Sequence, residues 1–396
     1  MRLQLIPLLL AIIINVGIDA LILAKLRKAV KPKWLQCSHL VFSALMLVLI
    51  IVAMALPRRS IDNDGLCAIM WMLFGYFSCY IPKYMALIAC GVMWAVGKLR
   101  RKAVSGSGAL AMAVAASTFA ALWWGALFTR NEVEVKRVEL EFANLPVQFD
   151  GYTIAHFADF HLGSYGSDTT FVATVVDSIN SLSPQLIAFT GDLVNRQTDE
   201  AEPFVAVLSR LHAPDGVFSI LGNHDYGDYM DWDSPEEREA NNARLCALQR
   251  EMGWKLLNNA DTIISRDENS ICIIGVENWG EPPFPKYGRL AQAHHALNDG
   301  DFKLLLSHNP RHWRGEVIPK SNIDLMLAGH THAMQMEIRL PGLRLSPSAW
   351  RYEEWGGLYE EGNQKLYVNI GVGEVAIPMR LGATPEITLI TLRRKK

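Results

Sequence analysis

Residues 185–192 read QLIAFTGD, a short apolar run that ends in glycine and aspartate. Similar runs recur through the C-terminal two-thirds of the chain, and amphipathic or helix-prone segments, such as 168–182 and 234–252, separate several of them. The other runs are YTIAHFAD at 152–159, GVFSILGN at 216–223, SICIIGV at 270–276, DFKLLLSH at 301–308 and NIDLMLAG at 322–329. Strands that alternate with helices predict an α/β sheet domain with helices on its faces.

The end of the chain changes character. Residues 366–373 (LYVNIGVG) and 386–392 (EITLITL) look like strands but have no helical segment between them. We therefore expect both to add strands in a second sheet layer, which gives a C-terminal α/β domain resembling an α/β/β/α sandwich. This domain is predicted to span residues 151–396, after a linker and first strand at 129–150.

Side chains that can bind metal follow five of these runs. They are Asp159 and His161, Asp192, Asn223 and His224, His308, and His330 and His332. Because ligands of α/β sheets bind at the carboxyl ends of the strands, we expect these side chains to meet at one edge. In extended backbone each i, i+2 pair points to one face, and glycine before Asp192 and before Asn223 permits close backbone approach. Imidazole, carboxylate and amide ligands without thiolate favour Mn, Fe or Zn.

The blocks D-F-H, G-D, G-N-H-D, S-H and G-H-T-H, between residues 159 and 332, resemble the calcineurin-like metallophosphoesterase family. All five blocks are complete and in order, which is far more specific than a lone GNHD. The resemblance covers the chain from about residue 150 to its end and is closest to the membrane-attached bacterial subgroup. Some members of that subgroup cleave phospholipids or nucleotide-linked lipid precursors, although its simplest members have one membrane anchor or none.

The resemblance implies two divalent metal ions and a role for each residue. One ion would be held by Asp159, His161, Asp192 and His332, and the other by Asp192, Asn223, His308 and His330. His224 would contact the phosphate and protonate the leaving oxygen, while Asp225 would orient His224. Two metal ions about 3.5–4 Å apart also suit an in-line displacement at phosphorus. We therefore expect direct attack by water or hydroxide, without a nucleophilic serine or cysteine.

The remaining histidines are expected to be ordinary core or surface residues. They are His39, His156, His212, His294, His295 and His312. Of the six cysteines none lies in a CxxC pair, so a zinc knuckle is not indicated. Cys246 and Cys272 would form a disulfide only if their domain faces an oxidising compartment and the geometry permits it.

The N-terminal third, residues 1–128, is predicted to be an all-α transmembrane region. Its apolar runs are 3–24, 37–56, 66–97 and 108–128, each long enough to cross a hydrocarbon core. The third run contains Pro82, so it forms either one kinked helix or two short segments of a re-entrant pair. Asp19 and Lys83 lie inside these runs, where a polar pathway, snorkelling and an interhelical bond are all compatible with the sequence.

The charges of the connecting loops predict the orientation. Lysine and arginine accumulate in the first and third connections, whereas Asp62 and Asp64 offset Arg58 and Arg59 in the second. The basic residues of the first and third connections are Lys25, Arg27, Lys28, Lys31 and Lys33, and Lys98, Arg100, Arg101 and Lys102. Because such loops stay in the cytoplasm, four spans place the catalytic domain on the extracytoplasmic, periplasmic side of a bacterial inner membrane.

The substrate class stays open between three hypotheses. A net charge of −2 gives no reason to expect a nucleic-acid polymer as partner. The aromatic loops at 278–288 and 348–359 favour a phospholipid or lipid-linked pyrophosphate at the bilayer surface, unless they only pack the domain. The alternatives are a membrane-anchored enzyme acting on soluble nucleotides or other phosphoesters, and a non-catalytic metal-binding sensor, which His224 and Asp225 argue against. Oligomeric state is not encoded in any recognisable pattern.

Overall fold

The computed structural model describes residues 5–29, 32–57, 60–101, 106–282, 284–293 and 300–395. Several residues discussed above lie outside these ranges, namely Lys31, Arg58, Arg59, Lys102, His294 and His295. The chain forms two compact units, one made of residues 1–61 and 68–124 and the other of residues 62–67 and 125–396.

The first unit consists of four long helices. They are α1 (Leu5–Ala29), α2 (Lys33–Ala55), α3 (Asn63–Leu99) and α4 (Ser107–Leu127). All four are long and apolar enough to cross a membrane. The run at 66–97 forms a single helix that continues through Pro82. Asp19 and Lys83 form an ion pair at 2.6 Å between α1 and α3, so the two charges inside the spans neutralise each other.

The second unit is built on two six-stranded sheets and a separate two-stranded ribbon. The strands are β1 (Glu134–Phe142), β2 (Thr153–Phe157), β3 (Leu186–Phe189), β4 (Val217–Ser219), β5 (Lys255–Leu256), β6 (Ala260–Arg266), β7 (Asn269–Gly275), β8 (Phe302–Leu306), β9 (Leu325–Ala328), β10 (Ile338–Leu340), β11 (Leu343–Leu345), β12 (Gly357–Glu361), β13 (Gln364–Val368) and β14 (Glu386–Arg394). The first sheet has the order β1-β14-β2-β3-β4-β5 and the second β12-β13-β9-β8-β7-β6, while β10 and β11 pair only with each other.

Helices complete the second unit, and their sequences show why they form. They are α5 (Thr170–Ser181), α6 (Val205–Leu208), α7 (Pro235–Glu251), α8 (Leu290–Ala293) and α9 (Ile318–Lys320). In α5 the buried side chains Val172, Val175, Val176 and Ile179 recur at helical spacing. At the start of α7, the Ser234 hydroxyl accepts a hydrogen bond from the N–H of Glu237, which is a stabilising N-cap.

Apolar layers hold the sheets together. Ile154, Leu186 and Phe218 of the first sheet and Leu304 and Leu325 of the second belong to one buried cluster. Further clusters join the first sheet to α5 and α7, and the second sheet to the segment that contains Trp313 and Val317. Because the central strands are buried on both faces, their sequences are almost continuously apolar. This arrangement confirms the predicted α/β/β/α sandwich.

The two C-terminal strands separate instead of sharing the second layer. β13 lies in the second sheet beside β9, as expected, but β14 lies in the first sheet between β1 and β2. The prediction for 386–392 is therefore wrong, because an apolar run shows that a strand is buried but not which neighbours it pairs with. Cys246 and Cys272 are both free, so the structure contains no disulfide between them.

β1 is an integral part of the first sheet, since it pairs with β14 in parallel along all nine of its residues. Leu140 of β1 is buried in the cluster between the sheets. We expect Leu140→Ala to lower the free energy of unfolding by about 2–5 kcal/mol, because it leaves a cavity in this core. Denaturant titration of the full chain in detergent, followed by tryptophan fluorescence, measures the change.

The matched control is Ile263→Ala, which removes the same kind of side chain from an exposed position on β6. It should change the free energy of unfolding by less than about 0.5–1 kcal/mol. Equal effects of the two substitutions would show that β1 is dispensable for the sheet.

Candidate metal centre

All seven predicted ligand residues lie in five loops at the carboxyl ends of strands. Asp159 and His161 follow β2, Asp192 follows β3, and Asn223 follows β4. His308 follows β8, and His330 and His332 follow β9. The first three strands are parallel neighbours in one sheet, and β8 and β9 are parallel neighbours in the other. The sandwich therefore brings both sets of loops to the same place.

His308 lies at the centre of one group of potential ligands. Its Nδ1 is 2.8 Å from the Thr190 carbonyl oxygen, so Nδ1 is the donor nitrogen and Nε2 is the nitrogen that can bind a metal ion. Within 3.1 Å of that Nε2 lie Asp192 Oδ2, Asn223 Oδ1 and His330 Nδ1. The three neighbours are a carboxylate oxygen, an amide oxygen and an imidazole nitrogen.

A second group of potential ligands forms around His161. Its Nε2 lies 3.0 Å from the Nε2 of His332, which in turn is 3.3 Å from Asp159 Oδ1. Asp192 Oδ2 is 3.6 Å from His161 Nε2 as well as 3.1 Å from His308 Nε2, so Asp192 stands between the two groups. His161, His332 and Asp159 are all buried.

The residues fit a divalent metal ion. Each group brings together carboxylate oxygens and imidazole nitrogens that can all offer a lone pair to one ion. Buried polar atoms without partners are costly, and a cation at their centre removes that cost. The atoms are imidazole nitrogens and carboxylate or amide oxygens, which match Mn, Fe or Zn. Calcium and structural zinc sites have other ligand sets.

The backbone of the site is locally strained, which the sequence did not indicate. Five of the seven ligand residues have left-handed φ angles: Asp159 at 59°, His161 at 49°, Asp192 at 61°, His330 at 77° and His332 at 50°. The side chains of each i, i+2 pair therefore converge through a tight turn. The extended backbone that we predict from the sequence is not observed there. This conformation costs roughly 1–2 kcal/mol per residue, so the surrounding fold must hold it in place.

The glycines before two of the ligands are required for close packing. Gly191 has a φ of +92°, and a Cβ on Gly222 would overlap the Asp192 carboxylate. The two loops therefore touch backbone to backbone, as expected from the sequence. Further along, a Cβ on Gly371 would come within 2.8 Å of the Cβ of Asp159, so the loop after β13 also packs directly against the site.

The carboxylate of Asp225 bonds to the backbone and not to the ring of His224. Its two carboxylate oxygens accept hydrogen bonds from the backbone N–H groups of Asp192, Leu193, Val194 and Gly222, at 2.9–3.1 Å. The orientation of His224 comes instead from the Asn195 carbonyl, which lies 2.7 Å from its Nδ1. Asp225 thus ties the Asp192 loop to the loop of Asn223 and His224.

Burial and the neighbouring charges shift the pKa values of the site. Burial alone would lower the pKa of His308, but the Asp192 carboxylate raises it to about 9. Burial lowers the pKa of His330 to about 3. Burial and the Asp192 charge raise the pKa of Asp225 to about 7, although the backbone N–H groups oppose this. Asp192 is held well below its usual pKa by His308 and His224 despite its burial.

The site contains three residues that we did not predict. The Tyr229 ring stacks on His224 with centroids 4.3 Å apart, and its hydroxyl accepts a hydrogen bond from the Asn223 amide at 2.9 Å. The Tyr352 hydroxyl lies 2.9 Å from His330 Nε2, and the buried Arg380 guanidinium is 3.4 Å from His332 Nδ1. Only Tyr352 had a signal in the sequence, because it lies in an aromatic-rich loop.

The histidines that we left outside the site are also outside it in the structure, as far as they are described. His156 is buried and its Nε2 is 2.9 Å from the Thr190 hydroxyl. His312 is buried beside the Ser307 hydroxyl, also at 2.9 Å, and His212 is exposed. His224, however, is close enough to His161 and Asp192 for the three side chains to bind one metal ion, since their ligand atoms lie within 4.8 Å of one another.

Comparison with known proteins agrees with this site. The model of the calcineurin-like phosphoesterase family matches residues 152–334. The uncharacterized metallophosphoesterase YkuE of Bacillus subtilis is 30% identical over 270 residues, which cover 66% of this chain and 86% of that protein. The chain therefore belongs to the calcineurin-like metallophosphoesterase family.

Two other relatives have more specific names. The transmembrane protein with metallophosphoesterase domain of Danio rerio is 26% identical over 345 residues, covering 82% of this chain and 74% of that protein. The UDP-2,3-diacylglucosamine pyrophosphatase LpxG of Chlamydia trachomatis is 28% identical over 306 residues, covering 62% of this chain and 86% of that protein. Together with the four apolar helices, the first similarity supports a membrane protein.

Metal content tests the site without any substrate. His308→Ala removes the nitrogen on which Asp192, Asn223 and His330 converge, so we expect the purified full-length chain to bind less divalent metal than the unaltered protein. His212→Ala, at an exposed histidine, should bind as much as the unaltered protein. Elemental analysis by plasma mass spectrometry after desalting measures both, and equal metal content in the two variants would contradict the assignment.

Proposed function

We propose that this protein hydrolyses phosphoesters by direct attack of water on phosphorus, at a centre that holds two divalent metal ions. The observation that supports the proposal is the meeting of two ligand groups, Asp159–His161–His332 and Asp192–His308–His330, in one buried site. When bound, such ions polarise phosphoryl oxygens and lower the pKa of coordinated water. The ligand residues are those predicted, with Asn223 beside His308 and Asp192 shared by both ions.

His224 is the candidate general acid. Its ring lies 4.7 Å from that of His161, and the Asn195 carbonyl accepts a hydrogen bond from its Nδ1. With Nδ1 held as a donor, Nε2 is the atom that carries the second proton of the imidazolium and can deliver it to the leaving oxygen as the P–O bond breaks. Burial lowers the pKa of this ring, which makes the imidazolium a stronger acid than it is in water. Tyr229 stacks on the ring and limits its rotation. Asp225 acts as a positioning residue, because it fixes the turn from which His224 projects.

A cleft beside the site can receive the group attached to the phosphate. It has a volume of about 140 Å³ and is lined by Asn223 and His330 together with Tyr229, Phe284 and Tyr352. Aromatic side chains at the opening suit an organic substituent, because they bury apolar area while keeping a polar edge. The cleft therefore supports a phosphoester or pyrophosphate with a larger organic substituent as substrate, in preference to small phosphate esters.

A lipid-linked substrate is the version of this proposal that the chain supports best. Four membrane-capable helices belong to the same polypeptide as the site. The name of the chlamydial relative states a lipid-linked pyrophosphate as its substrate. Not all of the aromatic residues in the two loops serve the cleft, since Trp355 is buried and Trp279 stacks on His312. Phe284 and Tyr352 line it.

The proposed location is a bacterial inner membrane, with the catalytic unit on the periplasmic side. The basic first and third loops support this orientation. So does α3, because a single continuous helix supports one crossing by the third apolar run. At 37 residues α3 is about 55 Å long, so part of it extends beyond a hydrocarbon core of about 30 Å.

Asp192→Asn tests the catalytic role of the shared ligand. We expect this variant to lose hydrolysis of an aryl phosphodiester, because the amide offers one neutral acceptor where the carboxylate offers two anionic oxygens. Chelation of the unaltered protein should have the same effect, and Mn, Fe or Zn should restore it. Steady-state kinetics in detergent measure both, and undiminished turnover by Asp192→Asn would refute a metal-dependent mechanism at this site.

His224→Gln tests the general acid separately from the metal. We expect kcat to fall by roughly 10²–10⁴, while the metal content stays that of the unaltered protein. The loss should be smaller for an aryl substrate whose leaving group is a good one, because such a group needs less protonation. A loss of metal in this variant would instead make His224 a ligand, as its group with His161 and Asp192 permits.

The orientation is tested with reporters fused after residue 130. We expect an enzyme that matures only in the periplasm to be active there and a reporter that fluoresces only in the cytoplasm to be dark. The same pair of reporters fused after residue 101 serves as the control and should give the opposite result. Activity of the cytoplasmic reporter at residue 130 would place the catalytic unit inside the cell.

A further inference from the structure

The ribbon formed by β10 and β11 has two chemically different faces. In its register Ile338 lies opposite Leu345, and Leu340 lies opposite Leu343. Because side chains alternate along a strand, these four residues share one face and the pair Arg339–Arg344 lies on the other. The apolar side chains are exposed by 59%, 49%, 55% and 46%, respectively. A group of exposed apolar side chains on one face is a candidate binding surface.

The cationic face is fixed to the rest of the unit. Arg344 Nε lies 2.7 Å and Arg339 Nε 3.1 Å from Glu337 Oε1, and Arg339 also pairs with Glu134 at 3.0 Å. Arg344 donates a further hydrogen bond to the Gly356 carbonyl and lies over the Trp355 ring. These contacts hold the ribbon with its apolar face outward, so this exposure is a property of a packed structure and not of a loose loop.

The ribbon is joined directly to the metal centre. It leaves the segment that carries His330 and His332, and it leads into the loop that carries Tyr352. Two hydrogen bonds join the segment before the ribbon to the segment after it. The Ser346 hydroxyl donates to the Ala333 carbonyl at 2.6 Å, and the Ser348 hydroxyl donates to the Thr331 carbonyl at 3.2 Å. A molecule bound at the ribbon is therefore presented close to the site.

The residues after the ribbon add a Trp–Arg pair. Trp350 is 91% exposed, and Arg351 next to it is exposed and lines the cleft beside the site. Tryptophan is enriched where lipid meets water, and an arginine at that level can pair with phosphate. Aliphatic side chains, a tryptophan and an arginine are the residue types that suit the layers of a bilayer surface.

We propose that the apolar face of this ribbon, with Trp350, inserts into the surface of the lipid bilayer and places phospholipid headgroups at the cleft. The four membrane-capable helices of the chain keep the catalytic unit near a bilayer. A protein partner fits less well, because four half-exposed side chains offer a few hundred Å², whereas a specific interface buries about 800 Å² on each partner. The insertion stands independently, and only the presentation of headgroups rests on the proposed function.

Quenching by labelled lipids tests the insertion. The full-length chain is reconstituted in vesicles of phosphatidylcholine and phosphatidylglycerol in equal parts, with dansylalanine in place of Leu343. Lipids that carry a nitroxide on the acyl chain near the headgroup should quench its emission by roughly half or more, because interfacial segments lie at the boundary of headgroups and acyl chains. The control carries the same probe in place of Ile263, which is also exposed, on β6, and should be unaffected.

Equal quenching at the two positions, or none at position 343, would overturn the insertion. If the probe at position 343 is unquenched by lipid and its emission changes with protein density in the vesicles, the ribbon contacts a second copy of the chain, which also overturns the proposal. The measurement needs no turnover, so it gives a result even if the protein proves inactive.

Kinetics test the presentation of lipid. Leu343→Glu places a charge on the inserted face, and we expect kcat/KM for a phospholipid in the vesicles to fall about tenfold while that for a soluble aryl phosphodiester is unchanged. Ile263→Glu should change neither value. Quenching at position 343 combined with equal lipid hydrolysis by both variants would remove presentation but leave insertion intact. Failure of the unaltered protein to hydrolyse any phosphoester would refute the proposed function instead.

Discussion

Crowding of lone pairs around Asp192 is the constraint on which the site depends. The Nε2 atoms of His308 and His161 approach the same carboxylate from opposite groups, and each also lies close to a nitrogen of another histidine. Because the Thr190 carbonyl lies beside Nδ1 of His308, the Nε2 of the neutral ring faces Asp192, and the pKa of His308 rises to about 9 since a proton on that nitrogen relieves the repulsion. A sandwich that buries these atoms together is stable only with positive charge among them.

That crowding must be held in place by the structure around the ligand residues. Left-handed backbone at Asp159, Asp192 and the histidine pairs is held by loop-to-loop contacts that admit only glycine at Gly191 and Gly222. Asp225 adds four hydrogen bonds to backbone N–H groups and so locks two of the loops together. Packing of the two sheets therefore stabilises the strained backbone, and the ligand atoms are held in position before any ion binds.

The sequence was sufficient for the fold class and for the set of residues that meet at the site. Apolar runs followed by Asp, Asn or His identify strand ends, and strand ends of parallel strands share an edge. It was insufficient where a feature depends on partners distant in sequence. The pairing of β14 with β1 and β2, the stacking of Tyr229 on His224 and the approach of Arg380 to His332 all arise from packing between distant segments. The hydrogen bonds of Asp225 could not be predicted for the same reason, because three of their four donors are backbone groups of another loop.

The apolar ribbon gives the membrane helices a meaning beyond attachment. Helical anchors raise the concentration of an enzyme at a bilayer, but a tether alone leaves the direction in which its site faces undefined. A second contact, made by a ribbon bonded to the loops of His330 and Tyr352, would define that direction. Hydrolysis of a soluble ester gains nothing from such a contact, since its substrate arrives from all sides. An exposed apolar face held in place by ion pairs to the buried Glu337 is therefore better explained by a substrate that resides in the bilayer than by one in solution.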